Sequence, residues 1–266
     1  MNTGIIRIIV LKFLNMNSSD LTINVVHTPN YGVELLDNKR LLTQLSELIT
    51  KGVKVNILVN GKTDKELPIV EGAKHISIAE RVPLGRARYL LHKEVQTTWY
   101  MNIDEDDSFV TIESWFEELL QNLSWIETPT VFCKYYVAWD SQKVDLYPEV
   151  SSLKLGPIEN EFTQVNCACL FNKKKLSEEF YRPFVNYMED NLFWAYLCSE
   201  HKDTTFMNLP IQIYDRSNSV MSKDSFIPNR ELPAEEVAME FLIYGLRMNL
   251  VKMIDHGQPV NEFKQA

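Results

Sequence analysis

Two apolar runs separated by one helical period constrain this chain more than any other feature: residues 21–27 (LTINVVH) and residues 53–59 (VKVNILV). The first run is closed by Thr28-Pro29-Asn30-Tyr31-Gly32, a turn by composition. Between the runs, Leu35, Leu36, Leu41, Leu42, Leu45, Leu48 and Ile49 recur on one broad helix face, and Gly52 stands just past the expected helix end. Strand, helix and strand with short connections make a βαβ unit. Its strands are expected to be parallel and joined by a right-handed crossover.

The alternation continues. Residues 75–78 read as a third strand, residues 86–95 as a helix, and residues 98–103 (TWYMNI) as a strand running into Asp104-Glu105-Asp106-Asp107. Open α/β sheets place ligand sites at the carboxyl ends of their strands, which is where these acids fall. Further on, residues 112–123 read as a helix and 131–139 as an aromatic-rich strand, followed by a loop with Pro148 and Gly156-Pro157. Strands at 165–171 and 209–214 and helices at 183–201 and 233–255 complete the pattern. The expected architecture is α/β, with a mixed, mostly parallel sheet flanked by helices and a C-terminal helical appendage. Residues 1–20 are expected to be an N-terminal extension, 21–232 the main domain, and 233–266 a helix and tail.

Charge narrows the function classes. The 266 residues carry 27 basic and 36 acidic side chains, a formal net charge of -9. That balance gives no general attraction to a phosphate backbone and disfavours broad nucleic-acid binding, although a local basic patch stays open. Four cysteines (Cys133, Cys167, Cys169, Cys198) show neither zinc spacing nor a dense disulfide pattern, which fits a reducing compartment and a cytoplasmic location. Cys167 and Cys169 should alternate along a strand and so point to opposite faces. The apolar run at 5–14 is broken by Arg7 and Lys12. It falls well short of the roughly 20 residues of a membrane span and lacks a signal-peptide cleavage site, so no span is expected. The first fifteen residues read as either an added strand or an upstream extension.

Three aspartates and a glutamate in four residues repel one another unless a cation or hydrogen-bond donors neutralise them. Hard divalent cations take oxygen ligands and bridge carboxylates to substrate phosphates, so one reading is a metal gripping a diphosphate. The other is a solvated acidic turn capping the helix that follows. Glu189-Asp190, taken by itself, reads as helix-surface charge. The five histidines show no paired metal spacing, although His201 or His256 could complete a metal shell. Tyr135, Tyr136, Trp139 and Tyr147 could stack on a sugar or a base, or fill the core. Lys173-Lys174-Lys175 is a candidate phosphate contact or a solvated helix start.

Several segments, in order, resemble the family 2 glycosyltransferases of the GT-A class. Val82-Pro83-Leu84-Gly85-Arg86-Ala87-Arg88 is similar to that family's Gly, small residue and Arg opening a helix, and Trp99 to Asp107 to its strand ending in Asp-x-Asp-Asp. Asn60-Gly61-Lys62-Thr63-Asp64 resembles its turn after the second strand, and NCACLFNKKKL at 166–176 a strand ending in aromatic and basic residues. Glu189-Asp190 before Asn191-Leu192-Phe193-Trp194 looks like its Glu-Asp pair, and Tyr214-Asp215-Arg216-Ser217-Asn218-Ser219 its Tyr-x-Arg-x-x-Ser segment. The likeness spans about residues 21–222.

The resemblance implies a GT-A fold and transfer of a hexose or pentose, with inversion, from a nucleotide sugar to an acceptor hydroxyl. Asp104 and Asp106 would hold Mn²⁺ or Mg²⁺ and the diphosphate, with Asp107 supporting the site. Thr28, Pro29, Asn30, Tyr31, Asn60, Arg88, Asp104 and Glu105 would contact the nucleotide sugar. Asp190, with Glu189 beside it, would take the acceptor proton. The acceptor could be a surface glycan, a protein or hydroxymethylated phage DNA. The chain departs from the pattern at Asn60-Gly61, where many members carry aspartates. Two other readings are a metal-dependent nucleotidyltransferase, poorly matched by Thr28-Pro29-Asn30-Tyr31-Gly32 as a phosphate loop, and a catalytically silent nucleotide-sugar-binding module.

Overall fold

The structure, a computed structural model, describes residues 16–29, 35, 37–63, 69–139, 144–147, 168–176 and 205–216. The expected helices at 183–201 and 233–255, Asn30, Tyr31, Glu189, Asp190, His201 and His256 lie outside the described residues, as do residues 1–15.

Strand β1 (Leu21–His27) is buried along its whole length, as a central strand covered on both faces must be. Helix α1 (Lys39–Thr50) starts later than the leucine period suggests, because the Asn38 side chain accepts the Leu41 N–H and caps it there. Gly52, at φ +91°, ends the helix as expected. Strand β2 (Lys54–Asn60) then pairs parallel with β1, and β3 (Lys74–Ile78) parallel with β2. Helix α2 (Leu84–Glu94) leads into β4 (Trp99–Asp104), which pairs parallel with the other edge of β1. The order β3-β2-β1-β4 puts a topological switch point between β1 and β4. A crevice opens there, at the strands' carboxyl ends.

The rest of the chain extends the sheet beyond β4. After a two-residue strand β5 (Ser108–Phe109) and helix α3 (Phe116–Leu123) come β6 (Thr130–Ala138), β7 (Val144–Tyr147), β8 (Cys169–Asn172) and β9 (Thr205–Asp215). Strand β8 runs antiparallel between β4 and β6, and β9 parallel to β6. The short strands β5 and β7 pair antiparallel with β9 and β6. The sheet is thus mixed and mostly parallel, as expected. Strand β7 falls where the sequence suggested only loop. Ala168, just before β8, sits at φ +50°, outside the extended region. Residues 165–167 of the expected strand, and with them the expected alternation of Cys167 and Cys169, lie outside the described residues. Cys133 and Cys169 are buried free thiols, and Cys167 and Cys198 lie outside the described residues.

Period-two alternation sorts β1 and β4 onto two faces. Leu21, Ile23, Val25, Trp99, Met101 and Ile103 join the main core with Leu41, Leu45 and Leu48 of α1 and Leu119 and Leu123 of α3. On the other face Val26 and Leu58 pack on Ala87 and Leu91 of α2. That second face is polar at its centre. Asn56 Nδ2 donates to Asn24 Oδ1 at 3.0 Å, and Asn24 Nδ2 to Asn102 Oδ1 at 3.3 Å, a buried amide ladder across three parallel strands. Met16 also packs against the main core, and Ser18 Oγ lies 2.8 Å from where a Cβ on Gly52 would stand. Residues 16–20 therefore rest on the domain.

Candidate metal and diphosphate site

The acidic run forms a tight turn, closed by the Asp107 N–H donating to Asp104 O at 3.0 Å. The turn sends its carboxylates in different directions. Asp104 pairs in register with Val26 and so shares the α2 face, where Arg88 Nη2 donates to its Oδ1 at 2.5 Å. Arg88 is 2% exposed and the Asp104 side chain 42%. A buried guanidinium thus braces a half-open carboxylate. Gly85 and Ala87 lie on the buried side of α2 with Arg88.

Glu105 follows the alternation to the opposite face. Its Oε2 lies 2.5 Å from His27 Nδ1 and accepts the Leu35 N–H at 3.1 Å, while Oε1 accepts the Thr28 N–H at 3.1 Å. Asn38 Nδ2 adds bonds to the carbonyls of Glu105 (3.0 Å) and Asp107 (2.6 Å). Both Glu105 oxygens are committed to the backbone and side chain at the end of β1. The residue ties that segment to the acidic turn and does not face the mouth of the site. Burial, its largest influence, raises the Glu105 pKa, and the His27 bond opposes the rise.

Asp107 is 1% exposed and points toward β9. Gln212 Nε2 donates to its Oδ2 at 2.7 Å and the Asp215 N–H to its Oδ1 at 3.0 Å. Gln212 in turn accepts the Ala168 N–H at 2.6 Å through Oε1. One buried amide thus joins the acidic turn to the irregular start of β8. Asp106 remains at the mouth with Asp104. Burial first, then the Asp104 charge, with smaller contributions from Glu105 and Asp215, pushes Asp106 up to about 7. Asp107 is pushed well above its ordinary value, chiefly by burial and then by Asp106.

Oxygens of Asp104, Asp106 and Asp107 all lie within 4.8 Å of one another. Such crowding suits a hard divalent cation, since the donors are all carboxylate oxygens and like charges this close repel one another. Of the three, Asp107 already accepts two hydrogen bonds.

The other expected site residues are placed as follows. Thr28 and Pro29 are buried at the end of β1, on the crevice side of the switch point. Asn60 is buried and exchanges two 2.9 Å bonds with the Val82 backbone, N–H to Oδ1 and Nδ2 to C=O. Its amide thus holds the segment leading into α2. Lys173, Lys174 and Lys175 follow Asn172, which pairs with Trp99 at the start of β4. They sit at the end of the sheet remote from Asp104, roughly 16 Å away along the strand, and Lys173 Nζ donates to His92 O at 2.8 Å. Gln212, Asn38 and His27 had no motif to mark them. Asp215 lay within a segment singled out only for its tyrosine, arginine and serine.

No protein-family model and no curated protein sequence matches the chain. Solved structures do. S. aureus TarS 1–349 in complex with UDP aligns over 85% of this chain and 64% of that one, with TM-score 0.61 and 13% identity. TarS 1–349 in complex with UDP-GlcNAc aligns over 85% and 66%, with TM-score 0.65 and 14% identity. The chain thus spans a little under two thirds of the length of these structures, and 37% of a longer TarS chain. The fold is GT-A-like, as the sequence resemblance implied. Among the described residues, no helix is long and apolar enough to cross a membrane.

Proposed function

We propose that this chain is a glycosyltransferase that moves a sugar from a nucleotide-sugar donor to an acceptor hydroxyl, with inversion and with Mn²⁺ or Mg²⁺ at Asp104 and Asp106. The observation that carries this reading is the pair of unequal carboxylates at the switch point of a GT-A-like sheet: Asp104 braced by Arg88, and Asp106 raised to about 7 beside it. TarS, solved with UDP and with UDP-GlcNAc, supports a nucleotide-sugar donor.

The nucleotide would enter the β1/β4 crevice beside Thr28 and Pro29; Asn30 and Tyr31 are added on the sequence resemblance alone. Its diphosphate would end over Asp104 and Asp106. A divalent cation there supplies charge neutralisation for the departing nucleoside diphosphate. The chain's own residues hold the geometry: Arg88 fixes Asp104, Gln212 and the Asp215 N–H fix Asp107, and Glu105 fixes the end of β1. Pre-set dipoles and charges of this kind act without reorganising during the reaction. Asp190 would accept the acceptor's proton, with Glu189 beside it, an assignment carried by the sequence resemblance. The acceptor is proposed to be a glycan, with protein and hydroxymethylated DNA as alternatives.

A thermal-shift screen of nucleotide sugars with and without Mn²⁺ tests the reading. One or more donors should raise the melting temperature only when the metal is present. If no nucleotide or nucleotide sugar shifts the protein under any metal condition, the reading is wrong.

A further inference from the structure

We propose that Trp139, Tyr214 and Arg216 form a carbohydrate platform that seats the sugar of the acceptor; this rests on the glycosyltransferase reading above. Trp139 is one of four large hydrophobic side chains exposed among the described residues, at 37%. It is held in place: its Nε1–H donates to Asp145 Oδ2 of β7 at 2.8 Å. The Arg216 guanidinium carbon lies 5.0 Å from the Trp139 ring centre and 5.6 Å from that of Tyr214. Two rings and a planar cation are thus layered together, and Val144, the register partner of Ala138, is 55% exposed beside them.

Position gives the layer its meaning. The Arg216 N–H donates to Ala138 O at 2.9 Å, Ala138 and Asp215 are register partners, and the Asp215 N–H is bonded to Asp107. The aromatic layer is therefore joined through two consecutive backbone groups to the turn proposed to hold the diphosphate. In the sheet order, the β1/β4 crevice and Thr28 lie on one side of that turn, and β6 and β9 on the other. With the nucleoside in the crevice and the diphosphate at the turn, the donor's sugar would lie on the side of β6 and β9, where an acceptor would meet it.

The chemistry selects the ligand class. A sugar ring has an apolar face of C–H bonds and a rim of hydroxyls. An indole whose N–H is already satisfied offers an apolar face, and an adjacent guanidinium offers directional donors to the rim. A nucleobase could also stack on an indole, but the nucleotide's end of the site is across the turn.

The test uses the full chain with two probes. UDP affinity in the presence of Mn²⁺ is measured by calorimetry, and retention of labelled protein on an array of immobilised glycans is read with UDP and Mn²⁺ present. The wild type should be retained by a defined set of glycans. Trp139→Ala and Arg216→Ala should each lower that retention by about tenfold or more, with UDP affinity within about twofold of wild type. Trp139→Phe, which keeps a ring and loses the Asp145 bond, should fall between. The proposal is overturned if the wild type binds UDP and no glycan, if Trp139→Ala retains glycans as the wild type does, or if Trp139→Ala loses UDP instead. Failure of the wild type to bind UDP would remove the donor reading itself, and the acceptor assignment with it.

Discussion

The Glu105 Oε2 atom lies 2.5 Å from His27 Nδ1, and this buried pair joins the turn after β4 to the last residue of β1. The two segments flank the switch point between β1 and β4. Glu105→Leu would leave His27 and the N–H groups of Thr28 and Leu35 buried without acceptors. Breaking a buried pair from one side costs about 3–5 kcal/mol. Glu105→Gln keeps one acceptor oxygen and should cost about 1–3 kcal/mol. Urea unfolding of both variants checks this. A Glu105→Leu protein as stable as wild type, with weakened UDP binding, would instead return Glu105 to the nucleotide site.

Gln212 is expected to matter as much as the acids it serves. Gln212→Leu preserves volume but strands Asp107 Oδ2 and the Ala168 N–H. Each unsatisfied buried group costs about 1–3 kcal/mol. Mn²⁺ affinity should fall as well, because Asp107 sits next to Asp106 in the turn. Calorimetric Mn²⁺ titration beside urea unfolding reads both effects; an unchanged protein on both counts would refute the bridge.

These two residues also mark how far the sequence was legible. Strand β1, helix α1 and strands β2 and β4 could be read because each carries its own period and its own stop, such as Gly52. Strand β5 could not: Ser108 and Phe109 have no pattern and are a strand only because Ile213 and Gln212 pair with them from the far end of the chain. Strand β7 was hidden in the same way, as four residues beside Pro148 defined by their pairing with β6. Within the site, Asp104 and Asp106 were visible as a motif. The division of labour between Asp104 and Glu105 was not, because it depends on sheet faces and on partners 77, 78 and 70 residues away for Glu105. The bond from Asn60 to Val82, 22 residues away, was hidden for the same reason: it is tertiary.

Stability should depend on pH through Asp106. Its folded pKa of about 7 lies above the ordinary 3.8, so the folded state holds its proton more tightly than the unfolded state. The resulting stabilisation is full below about pH 4 and is lost as pH rises through 7. Asp107, also raised, extends the loss upward. Metal-free Asp106→Asn should therefore gain on the wild type as pH rises from 5 to 8, and Mn²⁺ should raise the wild-type melting temperature more at pH 8 than at pH 5.5. A melting-temperature difference between the two proteins that is flat across that range would contradict the assignment.

The proposed base is tested separately from the metal. Asp190→Asn should lower single-turnover transfer by about two to four powers of ten while donor affinity holds, since a general base acts on the acceptor. Glu189→Gln should be the milder change: on the helix that the sequence predicts at 183–201, neighbouring positions point about 100° apart. A slower Glu189→Gln enzyme would exchange the two roles, and lost donor binding in Asp190→Asn would move that residue into the nucleotide site.

The most direct test of the whole account is the calorimetric affinity for UDP, measured on wild type and Asp106→Asn, each with Mn²⁺ and with a chelator. Wild type should bind UDP with Mn²⁺ and lose about tenfold or more of that affinity in the chelator, a change of at least about 1.4 kcal/mol. Asp106→Asn should fold, as read by its melting curve, and bind UDP weakly with or without the metal. UDP affinity that is the same in Mn²⁺ and in chelator, or that survives intact in Asp106→Asn, would contradict a metal-held diphosphate at this turn.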